Sequence, residues 1–302
     1  MTITMRGTLT KLIASLPQLN HAHRFSEEQS TELKSQNVDY QLRLLDEGGM
    51  IESNLGEYYA LNTLVGASVS IRPLGRITCL YCGTQVKKSY SDGYCYPCFV
   101  DQPTAAECII RPELCLAHEG IGRDPEWEKT FHLQPHLVYL ALSNKYKVGV
   151  TRDWPTRWLD QGADAIKVIA ETPYRQLAGQ IEVELSKYYS DKLSWQRMLK
   201  DERLLNANLN QEADRCLNLL PPELSQYGTP KSSILWLNYP KVESPTKVKS
   251  IKLDTLSYDS PLVGRLVGIK GQYLIFDEGR VFNARAHSGY HVEISSRALS
   301  LV

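Results

Sequence analysis

No apolar run in this 302-residue chain approaches the roughly 20 residues that a helix needs to cross a bilayer, so nothing points to a membrane partner. The opening residues, MTITMRGTLTKLIASL, alternate polar and apolar side chains. They lack the continuous apolar core of a secretory signal, and a cytoplasmic protein is the expectation. Net charge is also missing: 34 Lys and Arg balance 34 Asp and Glu. A general polyelectrolyte binder is usually basic, so any nucleic-acid contact must be a local patch. What is present is ordinary globular material, 42% hydrophobic, with length enough for two or more small domains. Seven cysteines in a cytosolic setting point to metal or free thiols rather than disulfides.

Four of those cysteines form two knuckles, Cys79-Leu-Tyr-Cys82 and Cys95-Tyr-Pro-Cys98. Each Cys-x-x-Cys brings two thiolates to one ion, and two knuckles close a tetrahedral zinc site. A redox pair would explain one knuckle but not both. Gly83 and Gly93 suit the tight turns, and Val86 to Tyr90 reads as a strand of the intervening hairpin. A closed four-thiolate site has no open position for substrate, so its zinc is structural. Cys108-x6-Cys115-x2-His118 follows, with His132 and His136 further on. These residues suit a second zinc site; the plainer alternative is two buried cysteines and surface histidines. Asp124-Pro-Glu-Trp127 reads as a turn, with Trp127 a core anchor.

The organising stretch runs from Val138 to Leu199. Val138–Leu142 and Tyr146–Thr151 are short apolar runs about the polar turn Ser143-Asn-Lys145, which reads as a β-hairpin. Asp153 or Thr156 can cap a short helix that tolerates Pro155 in its first turn. Ala165–Ala170 suits a third strand. Thr172-Pro173 opens a helix whose apolar positions Leu177, Ala178, Ile181, Leu185 and Tyr188 follow helical spacing.

This order of elements resembles the GIY-YIG endonuclease superfamily. Leu137-Val-Tyr139 stands at the first motif and Lys147-Val-Gly149 at the second. Gly149-Val-Thr151 followed by Arg157 matches the G-x-T-x5-R arrangement of one branch, and Ala178, Glu182 and Leu185 match A-x-x-x-E-x-x-L. The resemblance implies Tyr139 near the attacking water, Arg157 near the scissile phosphate, and Glu182 on a divalent cation, Mg²⁺ or Mn²⁺. The second tyrosine is replaced by Lys147, which can touch a phosphate but cannot act as a phenolic acid or base. Tyr146, one residue earlier, points to the opposite face of the strand. Helical periodicity alone does not choose between Glu182 and Glu184; the resemblance favours Glu182. The chain as a whole resembles an uncharacterised bacterial family that joins a cysteine-rich ribbon to such a segment. That match rests on Tyr94–Cys98, Asp124–Trp127, Lys147–Arg152, Thr156–Ala163 and Gly268–Tyr273.

The flanks are β-rich. Met5–Leu12, Val38–Leu45 and Tyr58–Pro73 are strand-like, with Asn20–Ser35 polar and Asn54-Leu-Gly-Glu a turn. Lys200–Leu220 reads as helical. Asp191, Trp195 and Arg197 read as a structural clasp, with Arg197 also a phosphate candidate. From Val248 the chain returns to a four- or five-stranded meander, in which Gly268 and Gly271 permit a bend or a close approach.

The expected organisation is α+β: a β unit over 1–76, a zinc-binding ribbon over 77–134, and a three-stranded GIY-YIG-like sandwich over 135–202. A helical and loop connection over 203–247 and a β meander over 248–302 that can join 1–76 complete it. The expected function is a zinc-stabilised protein acting on nucleic acid, DNA or RNA, as a metal-dependent endonuclease with Tyr139, Lys147, Arg157 and Glu182 at its site. The alternative is a non-catalytic nucleic-acid-binding or protein-interaction scaffold, with Arg72, Arg76, Lys87 and Lys88 supplying phosphate contacts.

Overall fold

A computed structural model describes residues 2–17, 32–46, 49–53, 56–152, 156–189, 194–202, 204, 206–229 and 232–297. The expectations on 20–31, the turn at Asn54, the cap candidate Asp153, the first-turn Pro155, and the clasp residue Asp191 lie outside the described residues.

In chain order the strands are β1 (Thr2–Ser15), β2 (Glu32–Asn37), β3 (Asp39–Leu45), β4 (Glu57–Ala60), β5 (Ser68–Thr78), β6 (Gln85–Val86), β7 (His136–Leu142), β8 (Tyr146–Thr151), β9 (Ala165–Thr172), β10 (Ile234–Asn238), β11 (Lys249–Ile251), β12 (Leu262–Lys270), β13 (Tyr273–Phe276), β14 (Arg280–Asn283) and β15 (Tyr290–Arg297). The helices are α1 (Tyr96–Asp101), α2 (Glu107–Ile110), α3 (Pro125–His132), α4 (Thr156–Gln161), α5 (Arg175–Ser186), α6 (Trp195–Leu199), α7 (Leu209–Leu219) and α8 (Pro222–Ser225). The result is a mixed α+β fold with two sheets. No described helix is long and apolar enough to cross a membrane.

The larger sheet runs β11-β14-β13-β12-β5-β15-β1-β3-β4, with β6 attached to β5. Strands from both ends of the chain share it. β15 pairs antiparallel with β1, from Thr2↔Arg297 to Thr8↔His291, and on its other edge with β5. Their alternation makes this possible: Met5, Leu9, Val69, Ile71, Val292 and Ile294 are all buried on the core side.

The smaller sheet runs β2-β10-β9-β7-β8. The hairpin, α4, the third strand and α5 lie where the alternating and helical patterns put them. The expected three strands are corrected to five. β10 uses Ile234-Leu-Trp-Leu, read from sequence as connection, and pairs antiparallel with β9; β2 pairs parallel with β10. β9 is buried along almost all its length. An open edge there would leave backbone N–H and C=O groups without water or partner, and β10 supplies the partners.

The two faces of this sheet meet different neighbours. Val138, Leu140, Leu142, Val148 and Val150 pack with Ala178, Ile181 and Leu185 of α5 and with Leu209, Ala213 and Cys216 of α7. Leu137, Tyr139 and Ala141 face the other way, onto Trp158 and Leu159 of α4 and the core of the larger sheet. Each fully buried side chain of this size contributes roughly 1.5–3 kcal/mol, so this shared core outweighs any single polar bridge.

Polar bridges fix the register of the junction instead. Gln272 accepts from the Leu12 amide (2.8 Å) and donates to the Leu12 carbonyl (3.0 Å) and to Asp160 (2.9 Å). Buried Lys270 donates to Asp164 (2.8 Å), Asp201 (3.1 Å) and the Met198 carbonyl (3.2 Å). The close approach foreseen at Gly271 is to the chain itself, over the backbone of Asp160–Gly162.

Candidate metal centres and an adjoining basic cavity

The end of β5 delivers Cys79, and a short hairpin through β6 returns the chain to Cys95, which precedes α1. The first knuckle is closed by Gly83 N–H to Cys79 C=O, and the second by Phe99 N–H to Cys95 C=O, both 2.9 Å. Gly83 and Gly93 have φ of +72° and +99°, a conformation other residues rarely take. The four sulfurs lie within 4.8 Å of one another. Tetrahedral Zn–S bonds of ~2.3 Å put sulfurs about 3.8 Å apart; Cys82 and Cys95 are 3.8 Å apart. The geometry is compatible with a structural metal ion such as zinc. Burial would raise the Cys82 thiol, but hydrogen bonding with the Thr84 side chain and backbone and with its fellow cysteines outweighs it and brings it down to about 6. Burial and the neighbouring thiols push Cys98 up. Asp92 of the hairpin holds Arg285 in a two-point ion pair of 2.5 and 2.9 Å, tying this unit to the turn before β15.

A second cluster lies beyond. Cys108 of α2 and Cys115 meet Glu128 and His132, four residues apart on one face of α3. All four are buried, and their ligand atoms lie within 4.8 Å of one another. Asp124 caps α3 by accepting from the Trp127 amide, and Pro125 opens it. His118 does not join: it lies beside Glu119, and its ring stacks on Tyr174 at 5.1 Å. Hydrogen bonding with Cys108, against burial and aided by His132, brings the Cys115 thiol down to about 4; the same pairing pushes Cys108 up. Spacing alone favoured His118 because it is near in sequence. The overlooked signal was Glu128-x-x-x-His132 on one helical face.

His132 also lines a cavity of about 460 Å³. Among the described residues its walls carry Lys11, Arg152, Arg157, Arg175 and Arg285, against one carboxylate, Asp160. Asp160 is held by Lys11 at 2.8 Å and by Gln272. Arg152 lies over the Phe131 ring, and Arg175 donates to the carbonyls of Cys108 and Ile109, both at 2.9 Å. Among the described residues, Arg157 Nε and His136 Nε2 on this wall are buried and have no protein partner. His136 Nδ1 lies 2.7 Å from the Gln134 carbonyl. A carbonyl only accepts, so Nδ1 carries the proton and Nε2 presents a lone pair. Burial pushes the His136 ring down to about 4, keeping it neutral.

Of the residues expected to catalyse, only Arg157 reaches this cavity. Tyr139 is fully buried on the α4 side, across from Gly149, with its hydroxyl 3.3 Å from Gln161. Lys147 is half-buried and pairs with Ala141 on β7. Glu182 is half-buried on α5, against the opposite face of the sheet from Tyr139. It shares a stripe with Arg175 and Gly179. That stripe is covered: a Cβ at Gly179 would fall 2.2 Å from the Glu113 backbone nitrogen. Glu184 pairs with Lys187, and Arg197 with Glu202. Arg72 lies over Tyr258, and Lys88 over Tyr90. Trp195 stacks on Tyr273.

A family model described as a protein of unknown function (DUF2797) matches residues 66–292, well over half of the chain. No curated protein and no solved structure matches it.

Proposed function

We propose, from the premise that this chain belongs to the DUF2797 family of proteins of unknown function, that it is a metal-stabilised nucleic-acid-binding protein on a GIY-YIG-like central fold. Zinc held by Cys79, Cys82, Cys95 and Cys98 stabilises a ribbon beside that fold. The cavity around Arg157 takes a phosphate of the ligand. One observation carries the reading: Arg157 Nε and His136 Nε2, a cationic donor and a neutral acceptor, are both buried on one basic wall with no partner among the described residues. A buried group of this kind costs free energy until something satisfies it. A nucleotide offers both partners, a phosphate oxygen for the guanidinium and a hydroxyl or amino group for the imidazole. The neutral whole chain suits local capture rather than long electrostatic tracking. Hydrolysis is not part of the proposal because Tyr139 is fully buried on the α4 side and does not line the cavity.

The test is binding of labelled single- and double-stranded DNA and RNA across a salt series, with Mg²⁺ or Mn²⁺ present to reveal any cleavage. Wild type is compared with Arg157→Ala and Glu182→Ala, each checked for bound zinc. Arg157→Ala should weaken binding about tenfold and lower the salt slope by about 1, with Glu182→Ala unchanged. A zinc-loaded wild type that binds none of these ligands rejects the proposal. Cleavage abolished by both substitutions replaces it with the endonuclease.

A further inference from the structure

We propose that Cys108, Cys115, Glu128 and His132 form a second Zn²⁺ site, with two thiolates, one carboxylate and one imidazole as ligands. The inference does not depend on the nucleic-acid reading. A tetrahedral zinc with bonds of ~2.3 Å to sulfur and ~2.0–2.1 Å to nitrogen or oxygen puts an S–N ligand pair about 3.5 Å apart and an N–O pair about 3.4 Å apart. Cys115 Sγ lies 3.4 Å from His132 Nδ1, which lies 3.7 Å from Glu128 Oε2. Four donors of the right kind already surround one point.

Burial makes the same argument from cost. Glu128 is 2% exposed. Its contacts are the Arg123 amide at 2.8 Å and His132. A carboxylate withdrawn from water needs a cation or a full set of donors. A divalent ion among Cys108, Cys115 and Glu128 supplies that charge. It leaves the centre at a formal charge of −1 when both thiols give their protons to solvent. Buried Arg175 sits against that remaining charge, fixed on the carbonyls of Cys108 and Ile109. The donor set also selects the metal. Two thiolates and an imidazole suit zinc, whereas Mg²⁺ and Ca²⁺ take oxygen ligands. The ion would tether α3 to the 108–115 segment and so hold His132 in the wall of the basic cavity.

The full chain, purified without added metal, is assayed for zinc per chain by mass spectrometry. Wild type should hold about two, and the double variants Cys115→Ser/His132→Ala and Cys82→Ser/Cys98→Ser about one each. Zinc-edge X-ray absorption of wild type should average about three sulfurs and one nitrogen or oxygen per ion. One zinc per chain in an all-sulfur shell, unchanged in Cys115→Ser/His132→Ala, overturns the proposal. Because that variant can fail to fold, Cd²⁺-exchanged wild type is also read by ¹¹³Cd NMR. Two resonances, one thiolate-rich and one mixed, are expected; a single four-thiolate resonance rejects the second site.

Discussion

His136 enters β7 fully buried, with one ring nitrogen committed to Gln134 and the other open to the cavity. Burial holds the folded ring at about 4, whereas an unfolded histidine titrates near 6.5. The folded pKa is the lower one, so the unfolded chain takes up the proton first as pH falls. Stability is therefore full above about pH 6.5 and declines as pH drops towards 4. Linkage makes the loss about 2 kcal/mol between pH 8 and pH 5. Urea unfolding across that range should show wild type losing about 2 kcal/mol more than His136→Gln. Thiol protonation at the metal ligands affects both proteins alike and cancels in the difference. Parallel pH profiles would contradict the buried neutral ring. Residue identity told only part of this in advance. The four knuckle cysteines were legible because their partners are local. His132 was named only as lying further on, because whether it or His118 joins the cluster depends on where α3 lies in space.

Among the elements, α5 shows how a helix can be read and its surroundings missed. Leu177, Ala178, Ile181 and Leu185 marked its apolar face, and that face is buried; Tyr188, counted with them, lies past the helix end and is exposed. The adjoining stripe through Gly179 reads in sequence as a weak helix position. In the fold it is the seat of Pro112 and Glu113. Gly179→Ala should gain about 1 kcal/mol of helix propensity. It should lose more, since overpacking costs about 1–3 kcal/mol and the atoms it meets are backbone that cannot rotate aside. A net loss of about 1–2 kcal/mol, seen as a lower melting temperature, is the expected result. A rise would mean that the 112–114 turn does not rest on α5. The β7–β8 hairpin was legible from two apolar runs about a polar turn, and β9 from alternation. β10 and β2 were not: their pairing joins segments about 200 residues apart, and nothing local in Glu32–Asn37 announces a strand.

At the scale of the molecule, the two sheets are joined by a shared apolar core and a few buried polar groups. Gln272 is the most exacting of these, because it satisfies both the N–H and the C=O of Leu12. Gln272→Ala leaves two buried backbone groups unpaired, at about 1–3 kcal/mol each. The variant should lose about 2–6 kcal/mol in urea unfolding. It should also show faster hydrogen exchange at the Leu12 amide; unchanged exchange there would mean that the bridge is not formed. The Gly268–Tyr273 stretch containing Gln272 stood out in the sequence as a motif, but its partner did not, since Leu12 lies 260 positions away.

The order of strands in the larger sheet also has a consequence in time. β15 lies between β5 and β1 and pairs with both. A ribosome working at about 5–20 residues per second delivers it roughly 15–60 s after β1. Through that interval β1 and β5 each present an edge that any passing strand can copy. The latest of the described strands to be made is the one that closes the sheet. A message cut short before Tyr290 would release a chain with two adhesive edges, rather than one merely missing its tail.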